Sequence, residues 1–262
     1  MVMCKRTPSR SGGFTLVELV VTISVIALLI GLTLPALSSV GSAGRGAQSG
    51  SNLRQMVFAA QSYANLHHWF PPAVQYGVVN GNMHSRAWDW ETTFGGELIG
   101  PGPLWEFTDH PGEVMQCPGF DGDANAPGDP YTGYNYSVYL GGEQVFNQHL
   151  TFYRGARPNA VRRPSRCAMF GLGGYAGGAN KFMRSPQHQA TDVLPSLGLP
   201  EVYSGAQAFR FRGRTLVAFV DGHVARHRQP HRGVSYNEAL LQQMDYPRNG
   251  FLSDDHSAYA PQ

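Results

Sequence analysis

Gly12-Gly13-Phe14-Thr15-Leu16-Val17-Glu18 opens an apolar run that reaches Leu37, and Glu18 is its one charged residue. At about 1.5 Å per residue a helix over 14–37 is about 36 Å long, enough to cross a bilayer core of about 30 Å. Lys5, Arg6 and Arg10 precede the run. A cleavable secretory signal has a shorter apolar core and a small-x-small site, whereas this run passes into Ser38, Ser39 and Gly41. A plain transmembrane anchor accounts for the length but not for the acid. A carboxylate in an apolar helix costs a few kcal/mol to insert, so Glu18 calls for a partner or a role.

Beyond the run, 38–50 is small and polar with four glycines, compatible with a flexible linker or with a weakened helix. A helical pattern returns at Asn52: Leu53, Met56, Val57, Ala60 and Ala64 form one apolar stripe, which Phe70-Pro71-Pro72 ends. The 32 Gly and 18 Pro of the 262 residues lie mainly after residue 70, which favours strands and loops over a helical bundle. Strand candidates are Tyr134–Leu140, Cys167–Gly171 and Leu216–Val220. The last is followed by Asp221-Gly222 and His223-Val224-Ala225, a spacing that predicts a type I′ hairpin with Asp221 and Gly222 as turn formers. The fold class is α+β: a long N-terminal helix packed on an antiparallel sheet with long loops.

Gly13, Phe14 and Glu18 closely resemble the prepilin leader motif of type IV pilins and type II secretion pseudopilins. The resemblance implies a leader over 1–13, cleavage between Gly13 and Phe14 by a membrane prepilin peptidase, and N-methylation of Phe14. It also implies a helix over 14–37 that serves the membrane and then the filament. There the Glu18 carboxylate would pair with the Phe14 amine of another pilin-like subunit. Residues 38–70 would be the linker and continuation of that helix, and 71–262 a β-rich globular domain. The basic residues of the leader place the N-terminus in the cytoplasm and the body in the periplasm of a single-pass inner-membrane protein. Implied partners are the peptidase, other subunits and the secretion or pilus assembly machinery.

A second resemblance, to DUF1559-type pilin-like proteins of planctomycete bacteria, rests on scattered pieces. These are Asn52-Leu53-Arg54-Gln55-Met56, Phe70-Pro71-Pro72, Cys117-Pro118, Tyr134-Asn135-Tyr136, Arg163-Pro164-Ser165 and the run from Val217 to Val224. The chain departs from that group at Phe211, where a histidine often stands.

Other residues invite chemistry. Asp121, Asp123, Asn125 and Asp129 reproduce part of the oxygen spacing of a calcium loop, although Ala126 and Thr132 stand where glycine and a closing glutamate belong. A solvated turn is the alternative. Outside the leader's Cys4, Cys117 and Cys167 are an even pair in a domain expected to be exported, either bridged or two buried thiols. His223, His227 and His231 recur every four residues, but on a strand and loop that spacing gathers no metal site. His67-His68 can serve a helix terminus. Trp88, Trp90 and Trp105 fill a core or present a glycan platform. A net charge of +2 offers no field for nucleic acid, and no nucleophile elbow, zinc-protease motif or P-loop is present. The expectation is a structural subunit without enzymatic activity. The alternative is a membrane-tethered or tip-located binding protein for a glycan, calcium or a secreted substrate.

Overall fold

A computed structural model describes residues 13–107, 111–122, 128–130, 133–145, 151–186, 205–233 and 238–261. By internal contacts the chain divides into one unit through Ser42 and a second from Ala43. Helix α1 spans Leu16–His67, so the small polar stretch 38–50 is helical rather than a loose linker.

Within the second unit the predicted stripe is buried: Leu53, Met56, Val57 and Ala60 are inaccessible and Ala64 nearly so. The same face continues towards the N-terminus as Gly46, Ser49 and Gly50, all buried. Their small size lets the helix lie close to what it covers. Phe211, the point of departure from the DUF1559-type pattern, uses this room, since a Cβ on Gly46 would lie 3.7 Å from its ring. On its other side the ring fills the space above Gly119, where a Cβ would come within 2.6 Å. At the C-terminal end of α1, His68 adopts φ 64° and donates its N–H to the Ala64 carbonyl at 2.8 Å. That is a left-handed helix cap, a place usually taken by glycine. His67 turns instead to Glu106, with Nε2 3.3 Å from the carboxylate.

Strands β1 (Val74–Val79), β2 (Asn82–Ala87), β3 (Trp90–Thr93) and β4 (Leu98–Pro101) follow. Asn80 and Gly81, at φ 51° and 80°, join β1 to β2 as a two-residue type I′ hairpin. After the short helix α2 (Pro111–Met115) comes β5 (Tyr134–Ser137), then a turn of helix α3 (Val138–Gly141) where a longer strand was expected. Strands β6 (Gly142–Val145) and β7 (Thr151–Arg154) complete a six-stranded sheet in the order β4-β3-β2-β1-β6-β7.

The second sheet joins β5 to β8 (Ala168–Leu172), β9 (Phe182–Met183), β11 (Thr215–Phe219) and β12 (Val224–His227), five strands in the order β12-β11-β8-β5-β9; a short pair of β10 (Gln207–Ala208) and β13 (Asn249–Gly250) lies apart. Pairing is antiparallel except for β1 with β6 and β5 with β9. The fold is therefore α+β, with mainly antiparallel sheets.

Along β11 the side chains alternate between two cores. Leu216, Ala218 and Val220 join the core that contains the helix stripe, Trp88, Tyr136 and Phe170. Val217 and Phe219 join a second core with Leu241 and Met244 of α4 (Glu238–Met244), Phe251, Leu252 and Tyr259. Gln61 ties the helix to this strand, donating from Nε2 to the Val220 carbonyl at 2.7 Å.

The hairpin after β11 differs from the two-residue turn expected of Asp221-Gly222. Phe219 N–H reaches the His223 carbonyl at 3.0 Å and Gly222 N–H the Phe219 carbonyl at 2.9 Å. Gly222 alone carries a positive φ, 91°, among the three loop residues. This is a three-residue loop with glycine in the left-handed position, the alternative solution that also preserves strand twist.

Leu53→Ala should cost about 2–5 kcal/mol of stability, because the helix cannot collapse into the gap. Phe58→Ala on the exposed helix face should change stability by less than about 0.5 kcal/mol. Urea midpoints of the two variants make the comparison.

Candidate functional site

The N-terminal segment is built to sit in an apolar medium. Leu16–Leu34 has a mean hydropathy of 2.5 and none of it is buried within the protein. The side chains of Phe14, Leu16, Val17, Leu19, Val20, Ile23 and Ile26 are all exposed. In hydrocarbon each polar atom must find a partner inside the segment. Thr22 Oγ1 donates to the Glu18 carbonyl at 2.9 Å, Ser24 Oγ to Val20 at 2.7 Å and Thr33 Oγ1 to Leu29 at 3.0 Å.

Glu18 is the acid that the sequence left unpaired, and the structure gives it a local partner. Its Oε2 accepts the Thr15 N–H at 2.9 Å and the Thr15 hydroxyl at 2.8 Å, while Thr15 Oγ1 accepts the Glu18 N–H at 3.2 Å. Thr15-Leu16-Val17-Glu18 is thus a reciprocal capping box, satisfying donors that the first helical turn leaves free. Its negative charge also suits the positive end of the helix dipole. Gly13 precedes this cap in non-helical backbone, two residues before the helix is capped.

The model of the prokaryotic N-terminal methylation motif matches residues 8–34. The chain carries a pilin-like N-terminal motif. The match takes in Gly13, Phe14, the capping box and the whole apolar span, and it ends where the span does. No curated protein and no solved structure matches the chain. The motif implies processing by prepilin peptidase, and the uncovered apolar helix is long enough to anchor the chain in a membrane. For the body, likeness to DUF1559-type proteins still rests on the quoted residues alone.

The other sequence candidates fall differently. Cys117 and Cys167 are free, buried thiols, so the bridge weighed for them is not formed. Each has its own surroundings: Cys117 Sγ lies 3.7 Å from Ser49 Oγ, and Cys167 donates to the Tyr259 carbonyl at 3.4 Å. Burial pushes the Cys167 thiol up to about 12, which leaves it unreactive.

Of the calcium candidates, Asp123 and Asn125 lie outside the described residues, and Asp121 is exposed. Asp129 is already engaged. Its two carboxylate oxygens lie 2.8 and 2.7 Å from Nζ of Lys181. Among the described residues no group of three or more His, Cys, Asp or Glu side chains is placed to hold a metal ion.

Lys181 is the feature that sequence reading missed. It and Lys5 are the only lysines in the chain. Its ammonium also lies 3.0 Å from Oδ1 of Asp89, and the three side chains are 8%, 4% and 1% exposed for Lys181, Asp89 and Asp129. Burial alone would lower the Lys181 pKa, but the two carboxylates more than reverse it and hold its proton on. Burial, against the pull of Lys181 and with the push of Asp89, raises Asp129 to about 6. Two carboxylates sharing one ammonium leave the cluster with an affinity for a further proton. The signal available in the sequence was a lone lysine in an apolar neighbourhood, Asn180-Lys181-Phe182-Met183.

The three tryptophans fill the core. Trp88, Trp90 and Trp105 are buried, and Trp88 Nε1 donates to the Lys181 carbonyl at 2.9 Å, so no glycan platform forms there. Trp69 is held instead between Arg154 and Arg157, whose guanidinium carbons lie 4.9 and 4.6 Å from its ring centroid. A cleft of about 620 Å³ lies elsewhere in the body, lined in part by Phe120, Tyr175, Phe209, Arg210 and Arg248.

The three histidines of the β12 hairpin do not converge on a metal. His223 pairs with Asp221 at 2.6 Å and His231 with Asp254 at 3.0 Å. His227 is partly buried, and desolvation, reinforced by His223 and His231, lowers its pKa. A histidine whose folded pKa is depressed stabilises the fold above its unfolded pKa and loses that contribution as pH falls. Melting temperature should therefore decline as pH drops below about 6.5. His227→Gln should flatten that decline, which thermal melts between neutral and mildly acid pH would record.

Proposed function

We propose that this chain is a structural subunit, a pseudopilin or minor pilin, cut between Gly13 and Phe14 and assembled into a type II secretion pseudopilus or a type IV pilus-like filament. The observation that carries the reading is the uncovered apolar helix that begins in a Thr15–Glu18 cap two residues after Gly13. The leader, with Lys5, Arg6 and Arg10, would stay cytoplasmic and the body would lie in the periplasm. Cleavage frees an α-amine on Phe14, one residue before the cap. In the unassembled chain the Glu18 carboxylate has two neutral donors from Thr15. In a filament it gains the cationic amine of a neighbouring Phe14, a charge-assisted bond in a dry environment. Leaving either charge alone in that environment is costly, so the pair sets the register of assembly.

The cap sharpens the test of that pairing. Glu18→Gln keeps a carbonyl oxygen to accept from Thr15 while removing the charge. It should be cut by the peptidase at close to the wild-type rate but should not enter filaments. Filament yield equal to wild type would refute the role of the charge. Mass spectrometry of the mature N-terminus should find N-methylated Phe14, and a chain still beginning at Met1 would refute processing.

A second reading is a tethered or tip-located domain that holds a ligand such as a glycan or a secreted substrate. The aromatic and arginine-lined cleft of about 620 Å³ favours it. The two readings are compatible, because the helix governs handling and the cleft belongs to the body.

A further inference from the structure

We infer that Lys181 and Asp129 join through an intramolecular amide bond, formed by the folded chain itself with Asp89 as the base. The reactants are already in place. Lys181 Nζ lies 2.7 and 2.8 Å from the two oxygens of Asp129, closer than to Asp89. Contact of this kind between an amine and a carboxyl removes the entropic cost of bringing them together, which is a large part of a bimolecular barrier.

The two aspartates are in different situations, and this assigns their roles. Asp89 Oδ1 accepts the Trp90 N–H at 2.9 Å as well as the ammonium at 3.0 Å, so an acceptor is held beside Nζ in a fixed position. Asp129 has only 1% of its side chain exposed, and among the described residues its recorded partner is Lys181. Its burial, which raises its affinity for a proton, favours the neutral and electrophilic acid form. Lysine is held from behind as well. The Lys181 carbonyl accepts from Trp88 Nε1 at 2.9 Å and from the Tyr136 N–H at 3.1 Å. The lysine backbone is therefore fixed beside the carboxylates.

The step balances within the cluster. Asp89 takes a proton from the ammonium, and Asp129 is protonated by the surplus proton that the cluster attracts. The free amine attacks the Asp129 carboxyl carbon, and a C–N bond forms. The C–OH bond then breaks: the hydroxyl leaves as water with the proton returned by Asp89, and the nitrogen gives up its second proton, which leaves the cluster in place of the one it took up. A carboxylate and an ammonium become an amide and one water, the net charge is unchanged and no oxidant or cofactor is needed. The dry surroundings favour this outcome, because a neutral amide replaces two buried charges. The bond would join Asp129 to the residue just before β9, 52 positions apart in the chain.

The test is peptide mapping of the full-length protein purified from membranes in detergent and digested after denaturation. The expected product is a branched peptide that joins the segment containing Asp129 to the segment containing Lys181, one water lighter than the two together. Asp129→Asn should give a branched peptide of the same mass, since it loses ammonia in place of water. Lys181→Arg and Asp129→Ala should give linear peptides only. Asp89→Ala keeps both reactants and should leave them unjoined. Wild-type protein yielding only the two linear peptides, with proteolysis after Lys181, would overturn the proposal whatever the variants do. A branch at Asp89 instead of Asp129 would overturn the assignment of roles.

Discussion

The five-stranded sheet is apolar on both faces, and the organisation of the body follows from that. Alternate residues of β11 and the one after it make the point: Leu216, Ala218 and Val220 face one core, Val217 and Phe219 the other. A sheet with both faces apolar needs two covers. The part of α1 from Ala43 supplies one. The C-terminal segment supplies the other, through Leu241, Met244, Phe251, Leu252 and Tyr259. That second cover is fastened as well as packed: Tyr259 OH accepts the Leu252 N–H at 2.7 Å, and the Ala258 carbonyl accepts from Ala168 N–H at 3.0 Å.

Closing both faces forces polar groups into dry places, where each needs a partner. Asn135 and Asn180 meet part of this together: Asn135 Nδ2 donates to Asn180 Oδ1 at 2.9 Å, and both amides reach the Ala206 carbonyl, while Asn135 Oδ1 is left without a hydrogen bond among the described residues. Arg210 spends its guanidinium on the carbonyls of Gly133 and Gly173 and lies 4.4 Å over the Phe120 ring. Lys181 is the extreme case, because a buried ammonium with no counterion would be far more costly than any of these. Its two carboxylates come from distant parts of the chain, so the cluster forms only once the body has closed.

Much of this was legible and some was not, for identifiable reasons. The stripe from Leu53 to Ala64 and the strands around Tyr134, Phe170 and Val217 could be read because large apolar side chains mark their own faces. Gly46, Ser49 and Gly50 belong to the same helix face but are small, so their burial left no hydrophobic signal. The turn at Asp221-Gly222 was located correctly and misread in type, since Gly222 alone takes the left-handed conformation. Asn80-Gly81, the better type I′ signal, lies between strands whose outer residues are exposed, such as Val78 and Val79. The pairing of Lys181 with Asp89 and Asp129 leaves no local pattern, and Asp129 read instead as part of an acidic loop. Cys117 and Cys167 show the limit of counting: an even number states a possibility, and only the surroundings of each thiol decide it.

The N-terminal helix poses the opposite problem from the body, and it is solved with few residues. Hydroxyls that would be unsatisfied in hydrocarbon bond back to the preceding turn, and Thr15 and Glu18 close the first turn reciprocally. The capping box accounts for the hydrogen-bonding capacity of Glu18 but not for its charge. Any acceptor side chain at that position could complete the cap; a carboxylate adds an electrostatic demand that two neutral donors do not meet. The excess is what makes the acid informative. A helix selected only to stay in a membrane would gain by shedding it, whereas a helix that must leave the bilayer for one defined neighbour gains from a charge that only that neighbour's cation can answer.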